Sequence, residues 1–173
     1  MKTPVVILGC GGLGREIAAV LGRSGQYTPA GFYDDGAPVG ASVLDLPVLG
    51  PIAALEAVDT ETAVVFGIAN TEVKERIWNR LCTNHHIHFP TVVSEQAMVL
   101  AREHVELGAG TVVMPGAIIS PDVTTGIGCL IHMGCILSHD THLGDFCSVL
   151  QGVVVPSGIS LGNKELVRAG KVF

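Results

Sequence analysis

From Leu107 to Phe173 an apolar residue returns at every sixth position: Leu107, Val113, Ile119, Ile131, Leu137, Leu143, Val149, Val155, Leu161, Val167 and Phe173, with Thr125 the one polar member of the series. Four places after each comes a small or β-branched residue, at Thr111, Ala117, Val123, Cys129, Cys135, Thr141, Cys147, Val153 and Ile159, a column that Glu165 and Lys171 break. Glycine recurs between the two columns, at Gly110, Gly116, Gly128, Gly134, Gly152, Gly158 and Gly170, and Asp122 and Asp140 take that place in two hexads. A triangular prism of short parallel strands needs such a pattern: one aliphatic side chain pointing inward per face, a small one where the interior narrows, and a turn residue that accepts positive φ at each corner. The pattern predicts a left-handed parallel β-helix with three hexads per coil and about four coils. A β-sandwich would alternate with period two and space its turns irregularly. Before Leu107, Val93 and Val99 keep the six-step, but the next anchor comes eight residues later. The segment from Ala101 to His104 is therefore read as a bulge.

The N-terminal half follows another rhythm. Pro4 to Leu8 is a continuous apolar strand, GCGGLG follows, and Ile17, Val20 and Leu21 then recur at helical spacing. In this strand, turn and helix, Gly9, Gly11 and Gly14 satisfy GxGxxG, in which backbone amides at a helix N-terminus can meet a phosphate. Gly11, Gly12 and Gly14 are the candidate phosphate-side residues. A second strand over Tyr27 to Tyr33 ends in Asp34 and Asp35, where a Rossmann-like unit carries an acidic residue for ribose or base recognition. The same pair also reads as a solvated turn before Gly36. A third strand in AVVFGIAN and a helix from Thr71 to Cys82 complete a small α/β domain. It has room for one mononucleotide-binding half, which suits a nucleotide-linked sugar better than a dinucleotide and argues against an NAD-dependent oxidoreductase. The predicted organisation is an α/β Rossmann-like domain over residues 1–88 followed by the β-helix over residues 89–173.

Composition narrows the possibilities. With 48% hydrophobic residues the chain can bury a core, and 22 glycines beside 15% charged residues suit a solenoid. A net charge of -6 offers no basic footprint for nucleic acid or anionic lipid. No apolar run approaches membrane-spanning length and no secretory leader opens the chain, so a soluble cytoplasmic protein is expected. The five cysteines, without a CxxC pair, fit reduced thiols in that compartment.

Certain stretches together carry a family resemblance: ILGCGGLGREIAAVL, GFYDD, LPVLG, the HIHFP link, GTVVMPGAII and GCILSHDTHLGDF. In them the chain resembles, over nearly its whole length, the sugar O- and N-acyltransferases of the hexapeptide-repeat superfamily. These include sialic acid O-acetyltransferases and the nucleotide-linked 4-amino-sugar N-acetyltransferases of bacterial glycan synthesis. The resemblance implies acetyl-coenzyme A as co-substrate, no metal, a nucleotide-linked sugar in the N-terminal domain, and a homotrimer with coenzyme A between neighbouring β-helices. It makes His139 the catalytic base and Asp140 the acidic residue that follows it. Imidazole suits a proton transfer near neutral pH, and a carboxylate beside it can fix the tautomer. Gly134, Gly152 and Gly158 become candidate corners along the pantetheine arm.

The chain also departs from the family pattern. Leu13 stands where a histidine is common in the glycine loop, His132 where asparagine is frequent, and Ser148 where a second histidine often follows GDF. Relatives continue for further hexads beyond the point matching Phe173. The alternative is accordingly a non-catalytic nucleotide-sugar-binding protein with an incomplete coenzyme A site. His85, His86 and His88 lack a neighbouring carboxylate or cysteine cluster in sequence, and the spacing of His104, His139 and His142 fits a β-helix zinc site poorly.

Overall fold

The computed structural model describes residues 1–173 throughout. The chain divides into two compact units, one of Met1–Ala69 with Arg76–Pro90 and one of Asn70–Glu75 with Thr91–Phe173.

In the first unit β1 (Thr3–Leu8) leads through the glycine turn into α1 (Gly12–Arg23), followed by β2 (Tyr27–Tyr33), β3 (Ser42–Val43), β4 (Leu46–Gly50) and β5 (Thr62–Phe66). Then come α2 (Thr71–Leu81) and β6 (Ile87–His88). The sheet order is β3-β4-β2-β1-β5-β6, parallel except for the β3–β4 hairpin. β1 runs through the middle, and the buried run Val5 to Leu8 is apolar without alternation because it is covered on both sides. Ile17 and Leu21 of α1 are fully buried with it. The hairpin turns on Leu44 and Asp45, both left-handed at φ 49° and 61°. This primed turn carries none of the Asn-Gly signals that would mark it in sequence. Beyond β5, Trp78 stacks on Phe89 at 4.2 Å between ring centres.

The second unit winds a left-handed β-helix with three parallel sheets as its faces. The first face stacks Val92–Val93, Val112–Val113, Leu130–Ile131, Ser148–Val149 and Leu166–Val167. On the second face lie Met98–Val99, Ile118–Ile119, Ile136–Leu137 and Val154–Val155. The third holds Glu106–Leu107, Thr124–Thr125, His142–Leu143 and Ser160–Leu161. In each pair the second residue points inward, so the apolar column read from the sequence becomes the core: Ile119, Leu137, Leu143, Val149 and Val155 are fully buried. The small column is buried beside it. Its three cysteines donate to main-chain oxygens there, Cys129 to Gly144 at 3.1 Å, Cys135 to Leu150 at 3.0 Å and Cys147 to Gly162 at 2.9 Å.

The bulge is a short 3₁₀ turn, Arg102–His104, entered through left-handed Ala101. Phe173, the last member of the six-step series, is 41% exposed and lies outside the core. Two corners carry neither glycine nor aspartate. Phe146 and Lys164 nevertheless take φ 58° and 61°, because a parallel coil needs a left-handed residue at every corner whatever the side chain. Phe146 is accommodated by Gly128 one coil earlier, where a Cβ would come within 2.7 Å of the ring.

The three outer surfaces differ. On the first face Val92, Val112, Leu130 and Ser148 are buried. Along the second, Met98 is exposed and Ile118, Ile136 and Val154 are half-buried, which leaves an apolar stripe. The third is polar, with Glu106, Thr124, His142 and Ser160.

Candidate active site and nucleotide loop

His139 stands on the corner between the second and third faces, directly after the Ile136–Leu137 strand. Asp140 supplies the left-handed turn residue at φ 58°. The turn folds the two side chains together, and His139 Nδ1 lies 2.7 Å from Asp140 Oδ2. With Nδ1–H donating to the carboxylate, the lone pair is on Nε2, and both side chains are largely exposed at 62% and 65%. The arrangement is an oriented base open to a ligand. Gly158 belongs to the same corner one coil further on, and its N–H donates to the His139 carbonyl oxygen at 3.1 Å. Gly134 and Gly152 lie on a different corner, between the first and second faces, where Gly152 N–H reaches Met133 O at 3.0 Å. Within one chain, therefore, only Gly158 joins His139. A Cβ at any of the three glycines would meet nothing within 4 Å.

Of the residues that depart from the family pattern, Leu13 is half-buried, while His132 and Ser148 are buried. His132 is 2% exposed; its Nδ1 accepts the N–H of Met133 at 2.8 Å, which places the ring proton of the neutral form on Nε2, beside Gln151. Ser148 is fully buried on the first face, and its hydroxyl has no partner. His142 Nδ1 is 2.6 Å from Thr124 Oγ1 on the third face. His86 and His88 both bond Glu61, a carboxylate distant in sequence that the reading of that segment lacked. The hydrogen bonds of the two imidazoles hold the Glu61 carboxyl below its usual range. No group of three or more His, Cys, Asp or Glu side chains is placed to hold a metal ion.

In the first unit, the chain turns from β1 into α1 through Gly11, which occupies the N-cap without a side-chain bond, and the first helical turn carries no acidic residue. The free amides and positive end of the helix favour an anion there. The glycines of this loop do different work. At Gly11 and Gly12 a Cβ would meet nothing within 4 Å, leaving room for a ligand. At Gly14 it would sit 2.0 Å from Gly9 O, so Gly14 serves the close packing of helix on strand.

Asp34 Oδ2 accepts the Cys10 N–H at 2.8 Å, and its Oδ1 accepts those of Gly36 at 2.8 Å and Ala37 at 3.0 Å. Burial works to raise the Asp34 pKa, but these amides and the Cys10 thiol outweigh it and hold the carboxyl below the usual carboxylate range. Burial and the neighbouring Asp34 push the Cys10 thiol up. Asp35 Oδ1 accepts the Ile52 N–H at 2.8 Å, at the start of the Ile52–Ala57 3₁₀ helix. Both aspartates thus hold main chain in place, and Asp34 shapes the glycine loop itself, a role that no spacing in the sequence announces.

Residues 4–81 match the PglD N-terminal domain family. No curated protein matches the chain at a significant level. Among solved structures, the acetyltransferase domain of PglB from Neisseria gonorrhoeae is similar over 99% of this chain and 91% of its own, with a TM-score of 0.86 at 20% identity. A second structure of that domain holds acetyl coenzyme A. A variant of perosamine N-acetyltransferase from Caulobacter crescentus, in complex with CoA and GDP-perosamine, matches over 100% of this chain and 89% of its own, with a TM-score of 0.83 at 24% identity. WeeI from Acinetobacter baumannii matches over 98% and 96%, with a TM-score of 0.60 at 20% identity. Residues 4–81 are therefore similar to the PglD N-terminal domain, and the chain as a whole shares the fold of the PglB acetyltransferase domain and of the perosamine N-acetyltransferase.

Proposed function

We propose that the protein is an acetyl-coenzyme A dependent acetyltransferase acting on a nucleotide-linked amino sugar, or on a sugar hydroxyl, in bacterial glycan biosynthesis in the cytoplasm. The observation that carries this reading is the His139–Asp140 pair at 2.7 Å, exposed on a β-helix corner with Nε2 open. As the acceptor's nitrogen or oxygen attacks the thioester carbonyl, Nε2 takes the proton it sheds, and Asp140 stabilises the resulting imidazolium. The C–S bond then breaks, and the imidazolium returns the proton to the departing thiolate, giving the acetylated sugar and free coenzyme A. Gly11, Gly12 and Gly14, with Asp34 and Asp35, hold the nucleotide. In this role Gly14 and Asp34 act by shaping the loop, while Gly11 and Gly12 leave room beside the amides. Gly134, Gly152 and Gly158 are the corners along which the pantetheine arm lies.

The working form is a homotrimer. Its support is the apolar stripe Met98, Ile118, Ile136 and Val154, which runs up the face ending at the His139 corner. Covering that stripe with another copy buries apolar surface and brings a second β-helix beside the catalytic corner.

A thiol-release assay with acetyl-coenzyme A against a panel of sugar nucleotides tests the proposal. Acceptor-dependent release is expected. Calorimetric silence toward acetyl-coenzyme A, beside clear binding of a sugar nucleotide, would establish the non-catalytic binding protein instead.

A further inference from the structure

Two of the inward cysteines stack on each other. Cys129 and Cys147 hold the same place in consecutive coils, because Leu130 pairs with Ser148 beside them and the Leu130 N–H donates to the Cys147 carbonyl oxygen at 2.8 Å. Their Cα atoms are thus about 4.8 Å apart, the spacing of neighbouring strands, and a disulfide spans roughly 4.4 to 6.8 Å. Both residues are buried, at 1% and 0% exposed. Cys135 has no such neighbour, since one coil away on either side stand Ala117 and Val153.

A cation stands at the same place. The Lys74 ε-ammonium donates to the carbonyl oxygens of Gly128 and of Cys147 itself, at 2.7 and 3.0 Å. A positive charge beside a thiol favours its ionisation. While both thiols are neutral, each donates to a main-chain oxygen. When Cys147 ionises, the Cys129 proton turns to its sulfur; this bond outweighs burial and, with Lys74, holds the Cys147 thiol below the usual range. The same bond and burial push Cys129 up. One sulfur is therefore suited to attack and the other to resolve, and acyl transfer at His139 uses neither.

We propose that Cys129 and Cys147 are a peroxide-reactive dithiol activated by Lys74, a modification site in the β-helix core separate from the His139 corner. The Cys147 thiolate attacks one oxygen of hydrogen peroxide and the O–O bond breaks. Lys74 protonates the departing hydroxide, which leaves water, a sulfenic acid and a neutral amine. The amine takes the Cys129 proton, the Cys129 sulfur displaces the sulfenic oxygen, and Lys74 returns the proton to that hydroxide as it leaves. The two sulfurs lose two electrons and the peroxide becomes two waters. The disulfide closes the one coil that carries His139 and Asp140. Burial sets the selectivity: a reagent little larger than water reaches the sulfurs in brief openings of a core that excludes thiols the size of glutathione.

The test treats the full chain, reduced and folded at pH 7, with hydrogen peroxide. Remaining thiols are then blocked in denaturant with N-ethylmaleimide, and cleavage before Asp140 and Asp145 separates Cys147 from Cys129 and Cys135 for mass spectrometry. A peptide pair linked through Cys129 and Cys147, and released by dithiothreitol, is expected, with Cys135 recovered blocked. Lys74→Met with a wild-type circular dichroism spectrum forms the link about tenfold more slowly, having lost the cation that favours the thiolate. Cys129 and Cys147 recovered blocked, oxidation confined to the more accessible Cys10 and Cys82, or linkage of Cys147 to another cysteine overturns the proposal. So does an unchanged rate in folded Lys74→Met. The wild-type map decides the pairing even where the variant fails to fold, and every outcome leaves the acetyltransferase reading as it was.

Discussion

Lys74 donates from its ε-ammonium to the main-chain oxygen of Cys147 at 3.0 Å, and to that of Gly128 at 2.7 Å. The residue belongs to the short stretch Asn70–Glu75, at the entrance and first turn of α2, that groups with the β-helix coils, and it is 1% exposed. No carboxylate compensates it, and burial brings its pKa from 10.5 down to about 8. Between these two values the unfolded chain keeps a proton that the folded chain has released, so stability rises with pH through the window. Below pH 8 both states are protonated and the cost of burying the charge is felt in full. The rise amounts to about 3 kcal/mol at most. Urea unfolding of wild type and Lys74→Met at pH 7 and pH 10 checks it: the variant loses this component of the pH dependence.

Gly14 and Gly11 lie in one loop but answer differently to the same substitution. Gly14→Ala drives a methyl group into Gly9 O and destabilises the first unit by about 3 kcal/mol. Gly11→Ala meets nothing in the protein, so it leaves the melting temperature within a degree or two, while calorimetry reads weakened binding of the sugar nucleotide. Equal effects of both changes on stability would contradict this division of labour.

His139→Ala lowers turnover by about two to four orders of magnitude, the usual contribution of a general base, and leaves sugar-nucleotide affinity in place. Asp140→Asn keeps the left-handed turn but removes the charge that steadies the imidazolium, so kcat falls while KM changes little. Rapid-quench and steady-state assays on both variants provide the check.

Ile136 lies midway along the half-buried apolar stripe of the second face. Ile136→Glu places a charge there without touching the interior, where Leu137 carries the packing. If the proposed homotrimer forms through this stripe, light scattering shows a trimer for the wild type and a monomer for the variant, while circular dichroism keeps the β-helix signal.

The Ser148 hydroxyl is buried without a partner, so removing it relieves a desolvation cost rather than losing a bond. Ser148→Ala is expected to leave stability unchanged or raise it by about 1 kcal/mol. A fall in melting temperature would contradict an unpartnered hydroxyl.

The six-residue period by itself determined the β-helix, because the rule it encodes is local: one inward aliphatic residue per strand and one left-handed residue per corner, repeated. The strand, glycine turn and helix from Thr3 to Arg23 were legible for the same reason, as was the adjacency of His139 and Asp140 within one turn. Other relationships emerge only when the chain is wound. The period does not reveal that Gly158 shares the His139 corner while Gly134 and Gly152 occupy another, since corners align only after three hexads close a coil. Phe146 and Lys164 bear no mark of a turn residue, yet the coils above and below impose its conformation on them. Asp34 became a brace of the glycine loop, Glu61 a partner for two histidines, and Lys74 a donor to oxygens on two distant segments. Each of these depends on atoms far apart in sequence, and packing alone decides which of them meet.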